Sequence, residues 1–208
     1  MNNHQLDIKC IKVTPYQDEE RIYLDAEQIL PVQDVGDYQV RLSAKKQEDA
    51  VTTRAETASR ILRHEFWENA LPIVAERVLA FKGRSASTDH WLSGSSGHSG
   101  IQFNLQIMKD STRIELYIDT GDKDKNKRIF DILFEEKDEL EAKYGSHLNW
   151  LKLPEKRASR LYLSFDDCSL ADKETWGDGI AWLTDNMEKL YATFKKPLDD
   201  AVKKVNTV

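Results

Sequence analysis

The sequence predicts an α+β domain: an antiparallel sheet built from a meander plus a hairpin, covered by helices, with a long helix linking it to an N-terminal strand segment. Three observations carry this. Ile101, Phe103, Leu105 and Ile107 alternate strictly with other residues in "IQFNLQIM", and Ile114, Leu116 and Ile118 do so in "RIELYID", the period of strands with one buried face. Between about Lys46 and Phe81, residues Val51, Ala55, Ala58, Leu62, Phe66 and Ala70 recur at spacings of three and four, the stripe of an amphipathic helix. Near the C-terminus, Trp182, Leu183, Met187, Leu190, Tyr191 and Phe194 form another such stripe.

In chain order, Leu6 to Val13, "LDIKCIKV", predicts a half-buried strand that Thr14-Pro15 closes. Arg21 to Leu24 predicts a second, Pro31 and Gly36 mark a loop, and Tyr38 to Leu42 a short extended connection. The long helix follows. Pro72, with no N–H to donate, is expected to kink or restart it, and Gly83 to cap its end. This helix marks the boundary between an N-terminal piece, residues 1–45, and the main α+β domain, residues 46–208. His90 to Ser93 predicts a short strand, and Lys109-Asp110-Ser111 the turn of the meander. "TGDKDKN" opens a helix with Phe130, Leu133, Leu140 and Tyr144 inward and Gly145 at its end. "HLNWLKL" and "SRLYLSF" flank Pro154 as two more strands, and Pro197 is expected to kink the last helix or begin a turn-rich tail.

A chain of 208 residues, 40% hydrophobic, buries a core without disulfides or structural metal. The net charge of −6 argues against a uniformly basic nucleic-acid binder but leaves room for a local basic face. Cys10 and Cys168 have no metal-ligand spacing, and "MNNHQLDIKC" has no basic run followed by an apolar core. A reduced, cytoplasmic setting with no membrane partner is expected.

The densest chemistry lies in "HWLSGSSGHSG", His90 to Gly100. A nucleophile elbow needs Gly-x-Ser-x-Gly between a strand and a helix. Here the glycines are misphased and a strand follows. An anion-binding nest, with backbone N–H groups and the hydroxyls of Ser95, Ser96 and Ser99, fits the composition better. A glycine-rich turn into the next strand, with Trp91 packed inward, is the plainer reading and the preferred one. The run Asp119, Asp122, Asp124, Asn126 fails as a calcium loop, because Lys127 and Leu133 stand where glycine and glutamate are required. It reads instead as a helix cap. Lys152, Lys156, Arg157 and Arg160, joined by Arg113, form the best phosphate-contacting set, weighed against a solvated turn with surface ion pairs. Asp7-x-Lys9 lacks the earlier acidic residue that a nuclease metal site needs. No metal site is complete, and no cofactor is expected.

"LRHEFWENAL", "STDHWLSGSSGHSGIQFNL", the run from "RIELYIDTG" through "KRASRLYLSF", and "WGDGIAWLTDNMEKLYATFKKPL" resemble a bacterial family known as domain of unknown function 4268. The resemblance spans about Ala58 to Val202, with Phe66-Trp67, His90-Trp91, Ser99-Gly100, Asn149-Trp150 and "KRASR" as landmarks. Residues 5–42 resemble the tail of a PD-(D/E)xK-like nuclease domain that precedes this domain in longer relatives. On that resemblance, the strands carrying the nuclease's metal ligands would lie upstream of Met1. The chain would then be a non-catalytic C-terminal part, or a stand-alone protein that lost the nuclease.

The function these readings imply is a non-enzymatic accessory domain of a nuclease- or defence-associated system, binding DNA, RNA or a protein partner. Its binding surface is expected at Lys152, Lys156, Arg157, Arg160 and Arg113 with Ser95, Ser96 and His98. One alternative is a homodimerising protein–protein module anchored by exposed Trp67, Trp91 or Trp176. A further alternative is a weak hydrolase using His90, His98 and the loop serines.

Overall fold

In the computed structural model, which describes residues 10–18, 21–30 and 35–207, the alternating runs form neighbouring strands of one sheet. The elements are β1 (Cys10–Asp18), β2 (Arg21–Leu30), α1 (Val35–Arg77), β3 (Trp91–Ser95), β4 (Ile101–Ile107), β5 (Thr112–Ile118), α2 (Lys123–Glu135), α3 (Lys137–Tyr144), β6 (Asn149–Leu151), β7 (Ser159–Phe165) and α4 (Trp176–Asn206). The chain divides into two compact units, 1–55 and 56–208.

In the first unit, β1 and β2 form a two-stranded antiparallel ribbon. Pro15 does not close β1, which runs on to Asp18. Both strands of a ribbon are edges, and an edge tolerates a residue without an N–H. The strand's predicted start, Leu6 to Lys9, lies outside the described residues. Tyr38 to Leu42 is helical rather than extended, since α1 starts at Val35. Beyond Gly36 the segment is rich in helix formers (Leu, Ala, Lys, Gln, Glu) and holds no proline before Pro72, so propensity suffices where no apolar stripe marks the helix.

In the second unit, the sheet order is β3-β4-β5-β7-β6, every pair antiparallel. Its apolar face carries Phe103, Leu105, Ile114, Leu116 and Leu161, all fully buried. Helix α4 packs on β4 and β5, and α2 on β5 and β7. Phe103 meets Tyr191 edge-on with ring centroids 5.0 Å apart, and Phe165 stacks on Trp182 at 5.4 Å. The C-terminal part of α1 adds Phe66, Trp67, Ala70 and Val74 to the same core. Trp67 and Trp176 are therefore not surface anchors: they are 0% and 5% exposed, and Phe66 contacts both rings edge-on.

Four local expectations change. α1 runs through Pro72 and ends at Arg77. A short 3-10 turn, Leu79–Phe81, follows it, with Gly83 at φ 77° just beyond. The helix opened by "TGDKDKN" is two helices broken at Glu136, with Asp122 capping the first by accepting from the Lys125 N–H at 3.1 Å. β3 extends to Ser95, two residues further than expected. Pro197 does not end α4, which continues to Asn206 and buries Leu198, Ala201, Val202 and Val205. Among the described residues, no helix is long and apolar enough to cross a membrane.

Candidate binding face on the sheet

The residues that alternate with the core positions fall on the opposite face of the sheet, and the strand registers align them in three rows. Trp91, Gln106, Arg113 and Ser164 form the first; Ser93, Asn104, Glu115, Tyr162 and Asn149 the second; Ser95, Gln102, Tyr117, Arg160 and Leu151 the third. This face is polar and aromatic. It carries a cavity of about 400 Å³ lined by His90, Trp91, Gln102, Asn104, Gln106, Glu115, Tyr117 and Arg160.

Glu115, only 2% exposed, is the hub. Its Oε1 accepts from Asn104 Nδ2 and from Gln106 Nε2, both at 3.1 Å, and its Oε2 accepts from Arg160 Nη1 at 3.2 Å. A buried carboxylate is tolerated only when paired and hydrogen-bonded in this way. The satisfaction is incomplete around it. Asn104 is 5% exposed, and among the described residues its Oδ1 and the Arg160 Nε have no hydrogen-bond partner. On the rim, Trp91 is 42% exposed. It is not packed inward, because β3 turns Leu92 and Gly94 to the core instead. His90 sits edge-on to it at 4.9 Å. Burial pushes the Tyr117 phenol above its ordinary value, helped by the charges of Asp119 and Glu115, so it stays protonated. Arg113 lies over the Tyr162 ring, 4.2 Å from its centroid, and its Nε donates to Ser164 Oγ at 3.1 Å.

Of the residues singled out from sequence, Arg113, Arg160, Ser95, Trp91 and His90 belong to this face. The loop after β3 and the turn before β7 flank its third row at one end of the sheet, and Asp119 links them. Its N–H donates to the Gly100 carbonyl at 2.7 Å, and its carboxylate takes a two-point bond from Arg157 at 2.6 and 2.9 Å. That guanidinium holds the Asp119 carboxyl below its usual value. Lys152 pairs with Asp131 at 2.8 Å, and Lys156 is exposed. Within the "KRASR" turn, Arg157 thus pairs with Asp119 and Arg160 with the buried Glu115. The turn is fixed from beneath by Lys127 Nζ, which donates to the Ala158 carbonyl at 2.7 Å and to Ser159 Oγ at 2.9 Å.

Ser96 does not serve as an anion donor. It is buried, its hydroxyl donates to the Ile101 carbonyl at 2.6 Å, and it accepts from the His98 N–H at 3.1 Å. Ser95 Oγ accepts from the Gly97 N–H at 3.2 Å. The His98 ring is engaged elsewhere: its Nε2 donates to Asp199 at 2.7 Å. Lys195 also pairs with Asp199. Burial pushes the Asp199 carboxyl up, but Lys195 and His98 outweigh it and hold it low. The glycines have structural roles. A Cβ at Gly94 would lie 2.7 Å from the Phe81 ring, and Gly97 and Gly100 sit at φ 85° and 75°. Among the described residues, no group of three or more His, Cys, Asp or Glu is placed to hold a metal ion.

Asn104, Gln106, Glu115, Tyr117 and Gln102 were missed from sequence. The signal was present: the polar members of "IQFNLQI" and "RIELYI" are three amides, a guanidinium, a carboxylate and a phenol. What the sequence withheld was the register that sets Asn104 opposite Glu115.

These features define a helix-backed antiparallel sheet that presents a polar, aromatic-rimmed face. The chain belongs to the family described as domain of unknown function (DUF4268), whose model matches residues 62–198. No curated protein and no solved structure matches it.

Proposed function

We propose that this protein is a non-catalytic binding module that lays single-stranded nucleic acid across the polar face of its sheet. One observation carries the reading: the rows of β3, β4, β5 and β7 combine rim aromatics (Trp91, Tyr117, Tyr162) with amides and a guanidinium whose bonding capacity is not exhausted. Flat antiparallel faces with aromatic and amide side chains suit unstacked bases, whose rings stack and whose edges hydrogen-bond. Arg113 and Lys156 are the cations best placed for phosphates, because Lys152, Arg157 and Arg160 already hold carboxylates. Exposed pairs such as Lys152–Asp131 are weak enough to exchange partners. A setting beside a nuclease or within a defence system is part of the proposal and rests on the resemblance of residues 5–42 to the tail of a nuclease domain.

The test is fluorescence anisotropy with labelled single-stranded DNA and RNA over a range of salt concentrations. Affinity is expected to fall as salt rises, with a shallow slope reflecting few phosphate contacts, and Trp91→Ala is expected to weaken binding. No binding of either strand at low salt, or binding that ignores salt, overturns the reading.

A further inference from the structure

We propose that the cavity on this face is a pocket for one unpaired nucleobase, whose edge donates to Asn104 Oδ1 and accepts from Arg160 Nε while its ring rests against Trp91. The inference rests on the strand-binding reading and specifies what enters the site.

Three observations point to a base rather than a phosphate or a sugar. The first is the pair of unmet groups. Asn104 is 5% exposed and, among the described residues, its Oδ1 is an acceptor without a donor and the Arg160 Nε a donor without an acceptor. Buried polar atoms are nearly always satisfied, and the residues that carry these two, Asn104 and Arg160, both line the cavity. A ligand edge with neighbouring N–H and acceptor groups completes both, and every nucleobase has such an edge.

The second is charge. The cation in the pocket, Arg160, is held by Glu115, which also takes both neighbouring amides. A phosphate placed here would face a buried carboxylate whose countercharge is already engaged. A neutral planar group meets no such penalty.

The third is shape. The pocket holds about 400 Å³ between strand side chains. On its rim are an indole with 42% of its surface exposed and a half-buried phenol. An aromatic ring left this exposed beside unmet polar groups is suited to stacking a flat ligand.

The experiment compares two labelled hexanucleotides of equal charge binding to the full chain, one carrying all its bases and one abasic throughout. Free nucleosides are tested separately by tryptophan quenching, with Trp91→Phe to assign the signal. The base-bearing strand is expected to bind about 10-fold or more tightly than the abasic one, the range set by stacking of a single base. Asn104→Leu is expected to remove most of that difference. Because Asn104 is buried, Trp91→Ala at the exposed rim serves as the second variant and is expected to shrink the same difference. Equal, salt-dependent binding of both strands overturns the base pocket and leaves the strand-binding reading standing. Quenching by nucleosides with no binding of either strand supports the pocket and removes the strand. Absence of every signal overturns both.

Discussion

Glu115 shows how much one side chain can organise. Its carboxylate ties β4 to β5 through Asn104 and Gln106, and β5 to β7 through Arg160. Replacing it with alanine leaves two amides and a guanidinium without their acceptor. Unmet buried partners of this kind cost roughly 1–3 kcal/mol. Glu115→Ala is therefore expected to lower the unfolding free energy by that amount, read as a fall in the urea midpoint at unchanged slope, and Glu115→Gln by less, since an amide oxygen still accepts. A Gln variant as unstable as the Ala variant would show that the charge, not the acceptor geometry, is what matters. Of this hub and its partners, only Arg160 was singled out as a site residue from the sequence, although each residue's face was legible. Alternation places Glu115 away from the core, but only the pairing of β5 with both neighbours surrounds it.

At the level of elements, legibility followed the strength of the local pattern. β4 and β5 were recoverable almost to the residue because apolar alternation is strict and Met108 to Ser111 closes the turn, with the Met108 N–H donating to the Ser111 carbonyl at 2.8 Å. The break between α2 and α3 at Glu136 was not, since "FEEKDEL" contains no breaker. The β3–β4 connection shows why composition misleads. Gly94 is a packing requirement, because a Cβ there would lie 2.7 Å from the Phe81 ring in the core. Gly100 is a backbone requirement: φ is 75°, and a Cβ would lie 2.3 Å from the Asp119 carbonyl oxygen. Gly94→Ala is expected to cost about 1–3 kcal/mol, the range for an overfilled core. Gly100→Ala should cost more, because both the left-handed backbone and a backbone oxygen oppose it. Thermal midpoints of the two variants test this, and a milder effect at Gly100 would refute it.

For the whole molecule, three carboxylates tie separate elements together, Asp119 and Asp199 across long stretches of chain and Glu141 over a short one, and all are held below their ordinary values. The Arg157 guanidinium lowers Asp119. Burial pushes Glu141 up, but the Leu148 N–H, His147 and the Trp150 indole N–H outweigh it. Lys195 and His98 do the same for Asp199 against its burial. A carboxyl with a lower pKa folded than unfolded adds stability above its unfolded value and loses it as pH falls through the folded one. With ordinary values of 3.8 for Asp and 4.5 for Glu, the thermal midpoint should hold steady down to about pH 5 and drop below that. Melting followed by circular dichroism at pH 7, 5 and 3 checks this; an unchanged midpoint at pH 3 would count against these pairs. Such long-range ties lie beyond local sequence reading: Arg157 and Asp119 are 38 residues apart, and His98 and Asp199 are 101 apart.

The sheet order carries a consequence for the order of assembly. β3, β4 and β5 are joined by short hairpins, whereas β7 reaches β5 only after two helices and β6 have intervened. Closing so long a loop is slow compared with forming a hairpin. Until β7 docks, Glu115 has its amide neighbours but no countercharge, because Arg160 arrives from 45 residues further along the chain. Arg160, which lines the cavity, is therefore expected to join it only after β3, β4 and β5 have paired.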